Sequence, residues 1–188
     1  LFVCDPAGSG VSHFTYDAQG VRISWEDWLR RPSLDFVWSE PRRKMYHFQD
    51  GYSPNDLLWE EIGTDGALGT VFDSPYHGDY PMVHPIRLDP AHARVLIGSG
   101  HIFDAVSLVH LGALPWGHTD AAWLGDELFT IRAENGDTRL WRWSPDLEPL
   151  DSRRLPGQPL RLQALADRLL VVTLHEQKPR FWLRLPNL

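Results

Sequence analysis

The sequence predicts an all-β fold, and two observations carry that prediction. Short runs of alternating apolar and polar residues, typical of β-strands, recur along the chain and are separated by turn-forming residues. One such run returns at intervals of roughly 33 to 50 residues, the spacing of four-stranded units in a β-propeller. We therefore expect a β-propeller of about four to five antiparallel four-stranded blades, as part of a larger or incomplete propeller.

The strands of each predicted blade are lettered a to d in up-and-down order. Strand b is the recurrent run, at 1–4, 45–48, 95–98, 128–131 and 169–172, and strand c follows at 13–16, 57–60, 101–104, 139–142 and 180–183. Strand a precedes the last four b strands, at 34–38, 85–88, 121–124 and 160–165. The predicted blades are 1–33 (partial), 34–83, 84–118, 119–157 and 158–188 (partial). The start on a mid-blade strand, without an initiator Met, favours a piece of a longer protein.

One repeat carries a family resemblance. The stretch from Ile86 to Ala105 contains an Asp89-Pro90 turn, a strand, and then Asp104-Ala105 at the end of a hairpin. This pattern resembles the repeat of the YVTN-type and wider WD-repeat-like β-propellers, although the Trp-Asp dipeptide of true WD repeats is missing. The resemblance implies the fold, and because such propellers range from scaffolds to enzymes, it implies no particular function.

The composition indicates an ordered core rich in tryptophan. The 188 residues are 43% hydrophobic and include nine Trp. Six of these fall in predicted strands and are expected to pack between blades, namely Trp38, Trp59, Trp123, Trp141, Trp143 and Trp182. Trp25, Trp28 and Trp116 lie in or near connections and are better placed for surface recognition. Cys4 is the only cysteine, which excludes an intrachain disulfide, and it is expected to be a small buried residue.

The charge and the motifs exclude several function classes. A net charge of −7 argues against nucleic-acid binding, although residues 139–188 carry a local balance of +4. No apolar run is long enough to span a membrane, no signal peptide is recognisable, and the compartment is not indicated. Phosphate loops, dinucleotide fingerprints and nucleophile elbows are all missing, so no cofactor is predicted. The segment 24–32 could form one helical turn, capped by Ser24 and ended by Pro32.

Loop lengths indicate where a site would lie. In an up-and-down blade the b–c and d–a connections share one end of the strands, and these are the longer connections here. The longest, 72–84, combines aromatic, His and Asp residues. The predicted ligand-binding residues on this end are Tyr52, Tyr76, His77, Asp79, Tyr80, His84, Trp116, His118 and Asp120.

Several interpretations of these residues remain open. The loop can be an ordinary ordered connection, or Tyr52, Tyr76, Tyr80 and Trp116 can form an aromatic platform for a glycan or small ligand. A metal site would use His77, Asp79 and His84, with His118 or Asp120 as a further ligand. Alignment of the a strands also places His84, Asp120 and Arg161 at equivalent positions, where they could form a polar ring or be solvated strand ends.

The sequence favours a non-catalytic binding or scaffold module over an enzyme. Its partner would be a protein, a glycan or a small ligand, recognised through the long-loop end, and exposed blade edges would allow self-association. The alternative is a propeller hydrolase or lyase, metal-assisted in one version, with a His/Asp site in loops 72–84 and 115–120.

Overall fold

The computed structural model describes residues 1–5, 12–26, 33–50 and 53–184, and within these ranges every regular element is a β-strand. The strands are β1 (Phe2–Asp5), β2 (Ser12–Tyr16), β3 (Arg22–Glu26), β4 (Phe36–Ser39), β5 (Lys44–Phe48), β6 (Leu57–Ile62), β7 (Leu68–Asp73), β8 (Ile86–Leu88), β9 (Arg94–Ile97), β10 (His101–Asp104), β11 (His110–Ala113), β12 (Asp120–Leu124), β13 (Glu127–Glu134), β14 (Asp137–Trp143), β15 (Pro149–Leu155), β16 (Gln158–Leu165), β17 (Arg168–His175) and β18 (Lys178–Arg184). No helix in these ranges has the length and apolar character needed to cross a lipid bilayer.

The strands form five sheets in sequence order. Each sheet is a simple meander: β1–β3, β4–β7, β8–β11, β12–β15 and β16–β18. The three middle sheets have four strands, the outer two have three, and the pairings are antiparallel. The fold-class prediction of four-stranded antiparallel propeller blades is therefore confirmed, with strands b, c and d in the first sheet and a, b and c in the last.

The connections between strands c and d are nearly uniform. They span 17–21, 63–67, 105–109 and 144–148. In three of them the N–H of the first turn residue donates to the carbonyl of the fifth: Asp17 to Val21 at 2.9 Å, Gly63 to Ala67 at 2.8 Å, and Ser144 to Glu148 at 2.9 Å. The fourth turn residue has a positive φ, +85° at Gly66 and +66° at Leu147. A left-handed residue in a short hairpin connection is a standard way to match strand twist.

The chain divides into two compact units. The first comprises residues 1–82 and 104–110, and the second residues 83–103 and 111–188. In the first unit, β5 and β6 supply most of the buried residues, including Tyr46, Phe48 and Leu57. In the second, one cluster centres on Trp143 and another on Phe129, and both lie between consecutive sheets. Alternating side chains of facing sheets thus build each core.

Two local expectations need correction. The helical turn predicted for 24–32 does not begin at Ser24, because Ser24 pairs with Thr15 as part of β3; residues 27–32, including Trp28, lie outside the described residues. Cys4 is only half-buried, and its cross-strand partner is His13. The six tryptophans predicted in strands are all found in strands.

Candidate functional site

The predicted site residues fall on both units, so each group is described by itself. The first unit contains Tyr76, His77, Asp79 and Tyr80, which lie between β7 and residue 82, a segment here termed the aromatic loop (74–82). The second unit contains His84, Trp116, His118 and Asp120. Tyr52 lies outside the described residues. Convergence of loops 72–84 and 115–120 remains a prediction.

The aromatic loop is fixed by contacts within the first unit. The Tyr76 and Tyr80 rings meet edge to face, with centroids 4.8 Å apart, and Tyr80 stacks on His110 at 4.3 Å. The Tyr76 hydroxyl accepts a hydrogen bond from the His110 backbone N–H at 2.9 Å. Aromatic pairs in these geometries stabilise beyond their buried area. Contacts within the first unit therefore fix the conformation of both tyrosines.

A buried carboxylate also holds the aromatic loop in place. Asp56, which precedes β6, is fully buried, and its Oδ1 accepts the Gly78 N–H at 3.1 Å. The Nδ1 atom of His77 lies 3.8 Å from Asp56 Oδ2, while three quarters of the His77 side chain remains exposed. Burial raises the pKa of the neighbouring Asp73, and the negative charge of Asp56 raises it further. A carboxylate that accepts a backbone N–H at a turn fixes the turn's conformation.

A polar cluster occupies the start of strand a in the second unit. Asp120 is 1% exposed, and its Oδ1 lies 2.6 Å from Arg87 Nη2 and 2.9 Å from Arg87 Nε. Its Oδ2 accepts the Leu162 N–H at 2.8 Å and lies 3.4 Å from Arg161 Nε. One carboxylate thereby links β8, β12 and β16, which are the a strands of three consecutive sheets. Of the polar ring predicted from repeat alignment, Asp120 and Arg161 do meet.

The imidazole ring of His118 is buried beside this cluster. It is 6% exposed, and neither Nδ1 nor Nε2 has a partner within the described residues. Burial lowers its pKa to about 4, and the nearby Arg87 guanidinium acts in the same direction. His118 is therefore a neutral imidazole at neutral pH.

The backbone around His84 and His118 is held by close approaches at glycine. The Gly98 N–H donates to the Val83 carbonyl at 2.6 Å, and the His118 N–H donates to the Gly98 carbonyl at 2.8 Å. A Cβ atom at Gly98 would lie 2.0 Å from the His84 carbonyl oxygen, so only glycine fits there. The turn 98–100 thus anchors the two segments that carry His84 and His118.

Trp116 packs against the core of the second unit. Its ring lies 4.8 Å from Trp141 and 5.5 Å from Trp143, and the Arg132 guanidinium carbon lies 5.3 Å from its centroid. It is half-buried. Any role in recognition would use only the exposed part of the ring.

Metal-ligand geometry is not found in the described ranges. No group of three or more His, Cys, Asp or Glu side chains within residues 1–5, 12–26, 33–50 and 53–184 is arranged to hold a metal ion. The Asp120 carboxylate instead pairs with two arginines and accepts hydrogen bonds from backbone N–H groups.

Sequence reasoning missed the residues that hold these segments in place. Asp56 and His110 fix the aromatic loop, and Arg87 neutralises Asp120. The one available signal was Asp56, a lone acid directly before the apolar run Leu57-Leu58, where a charge is costly unless it is paired.

Comparison with known proteins shows the fold alone. No protein-family model matches the chain, and no curated protein matches it. Among solved structures, the COPII outer coat vertex on membranes matches with a TM-score of 0.66 at 11% identity, over 96% of this chain and 55% of that one. Saccharomyces cerevisiae Sqt1 matches with a TM-score of 0.64 at 11% identity (100% and 59% coverage), and the Dos1 propeller with 0.58 at 8% (92% and 49%). The chain therefore spans about half of these propellers and shares their architecture.

Proposed function

We propose that this chain is a protein-binding module and that its aromatic loop contacts the partner. The observation that supports the proposal is that contacts within the chain fix the loop: Tyr76 and Tyr80 are held by His110, and Gly78 by Asp56. A loop that is already ordered loses little conformational entropy on binding. Tyrosines are also enriched at protein interfaces.

The chemistry of the exposed side chains fits a protein surface. His77 and Asp79 are exposed on either side of Gly78, between the two tyrosines. Half-buried aromatic rings flanked by exposed polar groups correspond to the centre and rim of a protein interface. The propeller architecture supports this proposal, because such folds serve widely as rigid platforms for loops.

Neither enzyme nor glycan chemistry is favoured by a specific observation. Asp120, the carboxylate proposed for a hydrolase, is engaged by Arg87 and by the Leu162 N–H, which leaves it poorly suited to act as a base. One face of Tyr80 is covered by His110, which reduces the aromatic surface open to a sugar ring.

The test is site-specific photocrosslinking in the source cells. A photoreactive phenylalanine analogue at position 77 should capture one defined protein, whereas the same analogue at exposed Gln19, in a c–d turn, should not. Replacement of His77 and Asp79 together by Ala should weaken binding of that protein at least tenfold without changing the melting temperature, and Gln19→Ala should bind it normally. Equal capture at positions 77 and 19, or unchanged binding by the double variant, would refute the proposal.

A further inference from the structure

The first unit contains an open cleft between its two sheets. It has a volume of about 400 Å³ and lies at the short-turn end of the blades, away from the aromatic loop. Its walls include the apolar side chains of Phe2, Ile23, Trp38, Met45 and Ile62. This volume is within the usual range of small-molecule sites, roughly 300–1,000 Å³.

An internal comparison relates the open cleft to one position of the repeat, which is Gly in the first two c–d turns and Leu in the next two. In the second unit the equivalent cleft, lined by Trp123, Leu128 and Leu147, holds only about 10 Å³. Trp38 pairs with Met45 across β4 and β5 as Trp123 pairs with Leu128 across β12 and β13, so the two clefts lie at the same place between successive sheets.

The difference lies at the fourth residue of the c–d turn. Leu147 has a φ of +66° and packs its side chain against the core cluster of its cleft. Gly66 occupies the same turn position with a φ of +85° and has no side chain. Because a left-handed conformation is unfavourable for Leu, its presence at 147 indicates that filling that cleft outweighs the strain. At the cleft of the first unit this turn position contributes no side chain, and Ile23 packs against it instead: a Cβ at Gly66 would lie 2.6 Å from Ile23 Cδ1.

The charged groups of the open cleft favour an anion. The Arg43 Nε donates to the Ile62 carbonyl at 2.8 Å, Nη2 donates to the Gly63 carbonyl, and the guanidinium carbon lies 5.7 Å from the Trp38 ring centre. Within the described ranges no carboxylate forms an ion pair with Arg43. Asp65, which also lines the cleft, accepts the N–H of Ala67 in its own turn. Asp65 keeps its negative charge, but the Arg43 guanidinium is the group of the cleft that offers donors to an anion.

We propose that this cleft binds a small aromatic anion, with its ring between Trp38 and Ile23 and its anionic group facing Arg43. The apolar walls take a planar ring, and a guanidinium held by two carbonyls is oriented in advance for a carboxylate or sulfonate. This site is independent of the protein-binding role proposed for the aromatic loop.

The test uses two probes that share rings and differ in charge. For the 1–188 chain, 1-anilinonaphthalene-8-sulfonate should bind at one site per chain, as measured by fluorescence titration and calorimetry, and N-phenyl-1-naphthylamine should bind the same site more weakly. Ile23→Trp should reduce the affinity for both probes at least tenfold, because it fills the mouth of the cleft. Val109→Trp is the matched control, since Val109 is 43% exposed and Ile23 42%. Equal binding by these two variants would overturn the proposal.

The anionic part is tested at Arg43. Arg43→Gln should weaken sulfonate binding about tenfold, or about 1.4 kcal/mol, and change binding of the neutral probe less than twofold. Arg43→Lys should restore part of the sulfonate affinity. If Arg43→Gln weakens both probes equally or neither, the anion preference is wrong, and intact binding of the neutral probe shows that the cleft itself is preserved.

Discussion

Replacement of Asp120 by Asn tests whether one carboxylate holds the a strands of the second unit together. Asp120 is 1% exposed and the Arg87 side chain 16% exposed, with 2.6 Å between Oδ1 and Nη2. Asn keeps the shape and can still accept the Leu162 N–H, but it leaves the Arg87 cation without its counter-charge. Removing one partner of a buried pair costs about 3–5 kcal/mol, and the remaining exposure of Arg87 places the expected loss near about 3 kcal/mol.

The assay is urea unfolding followed by tryptophan fluorescence. With a slope of about 2 kcal/mol per molar urea, a loss of about 3 kcal/mol lowers the midpoint by about 1.5 M. Arg161→Gln should cost no more than about 0.5 kcal/mol, because the Arg161 side chain is 62% exposed and lies 3.4 Å from Asp120. Asp167→Asn, in an exposed pair with Arg168, is the control and should leave the midpoint unchanged.

A double-mutant cycle separates the ion pair from other effects of the substitution. Arg87→Met alone leaves the carboxylate buried with fewer donors, and Asp120→Asn alone leaves the guanidinium unpaired. Together they should cost at least about 1 kcal/mol less than the sum of the single losses. Strict additivity, or a loss below about 1 kcal/mol for Asp120→Asn, would show that Asp120 and Arg87 do not depend on each other.

Three further predictions concern pH and turn conformation. His118 has a folded pKa of about 4 against 6.5 for the free side chain, so stability should fall as pH drops from 6.5 to 4, and His118→Phe should remove that slope in melting temperature against pH. Burial alone would lower the pKa of His13, but its contacts with the Cys4 thiol and the Glu60 carboxylate, 2.6 Å away, raise the pKa to about 9. Glu60→Gln should therefore lower the melting temperature more at pH 6 than at pH 9.5. An equal loss at both pH values would contradict an ion pair between His13 and Glu60. Glu176 and Gln177 form the β17–β18 turn with φ of +50° and +60°, whereas the β13–β14 turn has Asn-Gly. Replacing Glu176-Gln177 with Asn-Gly should raise the free energy of unfolding by about 1 kcal/mol. A decrease would show that the native turn is not strained.

The strand order could be predicted because it depends on local patterns. Alternation identifies each strand, and turn residues such as Asn135-Gly136 mark where the chain reverses. Repeat alignment placed Asp120 and Arg161 at equivalent positions and left open whether they meet; they lie 3.4 Å apart, because equivalent positions on neighbouring a strands lie at the same level of adjacent blades.

Contacts that break the repeat could not be predicted. Arg87 reaches Asp120 from an adjacent sheet, and the Gly78 N–H reaches Asp56 across 22 positions of sequence. Sequence spacing does not identify either pair, because a long side chain or an irregular loop can contact many different residues. The partly buried Cys4 shows the same limit: its strand was recognised, but its contact with His13 depends on register.

The open cleft shows how a repeat can reveal a site once its packing is known. Gly66 is unremarkable in the sequence, because glycine suits a left-handed turn position. The comparison with Leu147 shows the difference: Leu147 has the same left-handed conformation, which is unfavourable for Leu, and its side chain packs in the corresponding cleft. Selection for stability alone would favour a filled cleft at both places, since an open cleft leaves apolar surface in contact with water. The open apolar cleft next to Arg43 is therefore the difference between these two repeats that we interpret as a ligand site.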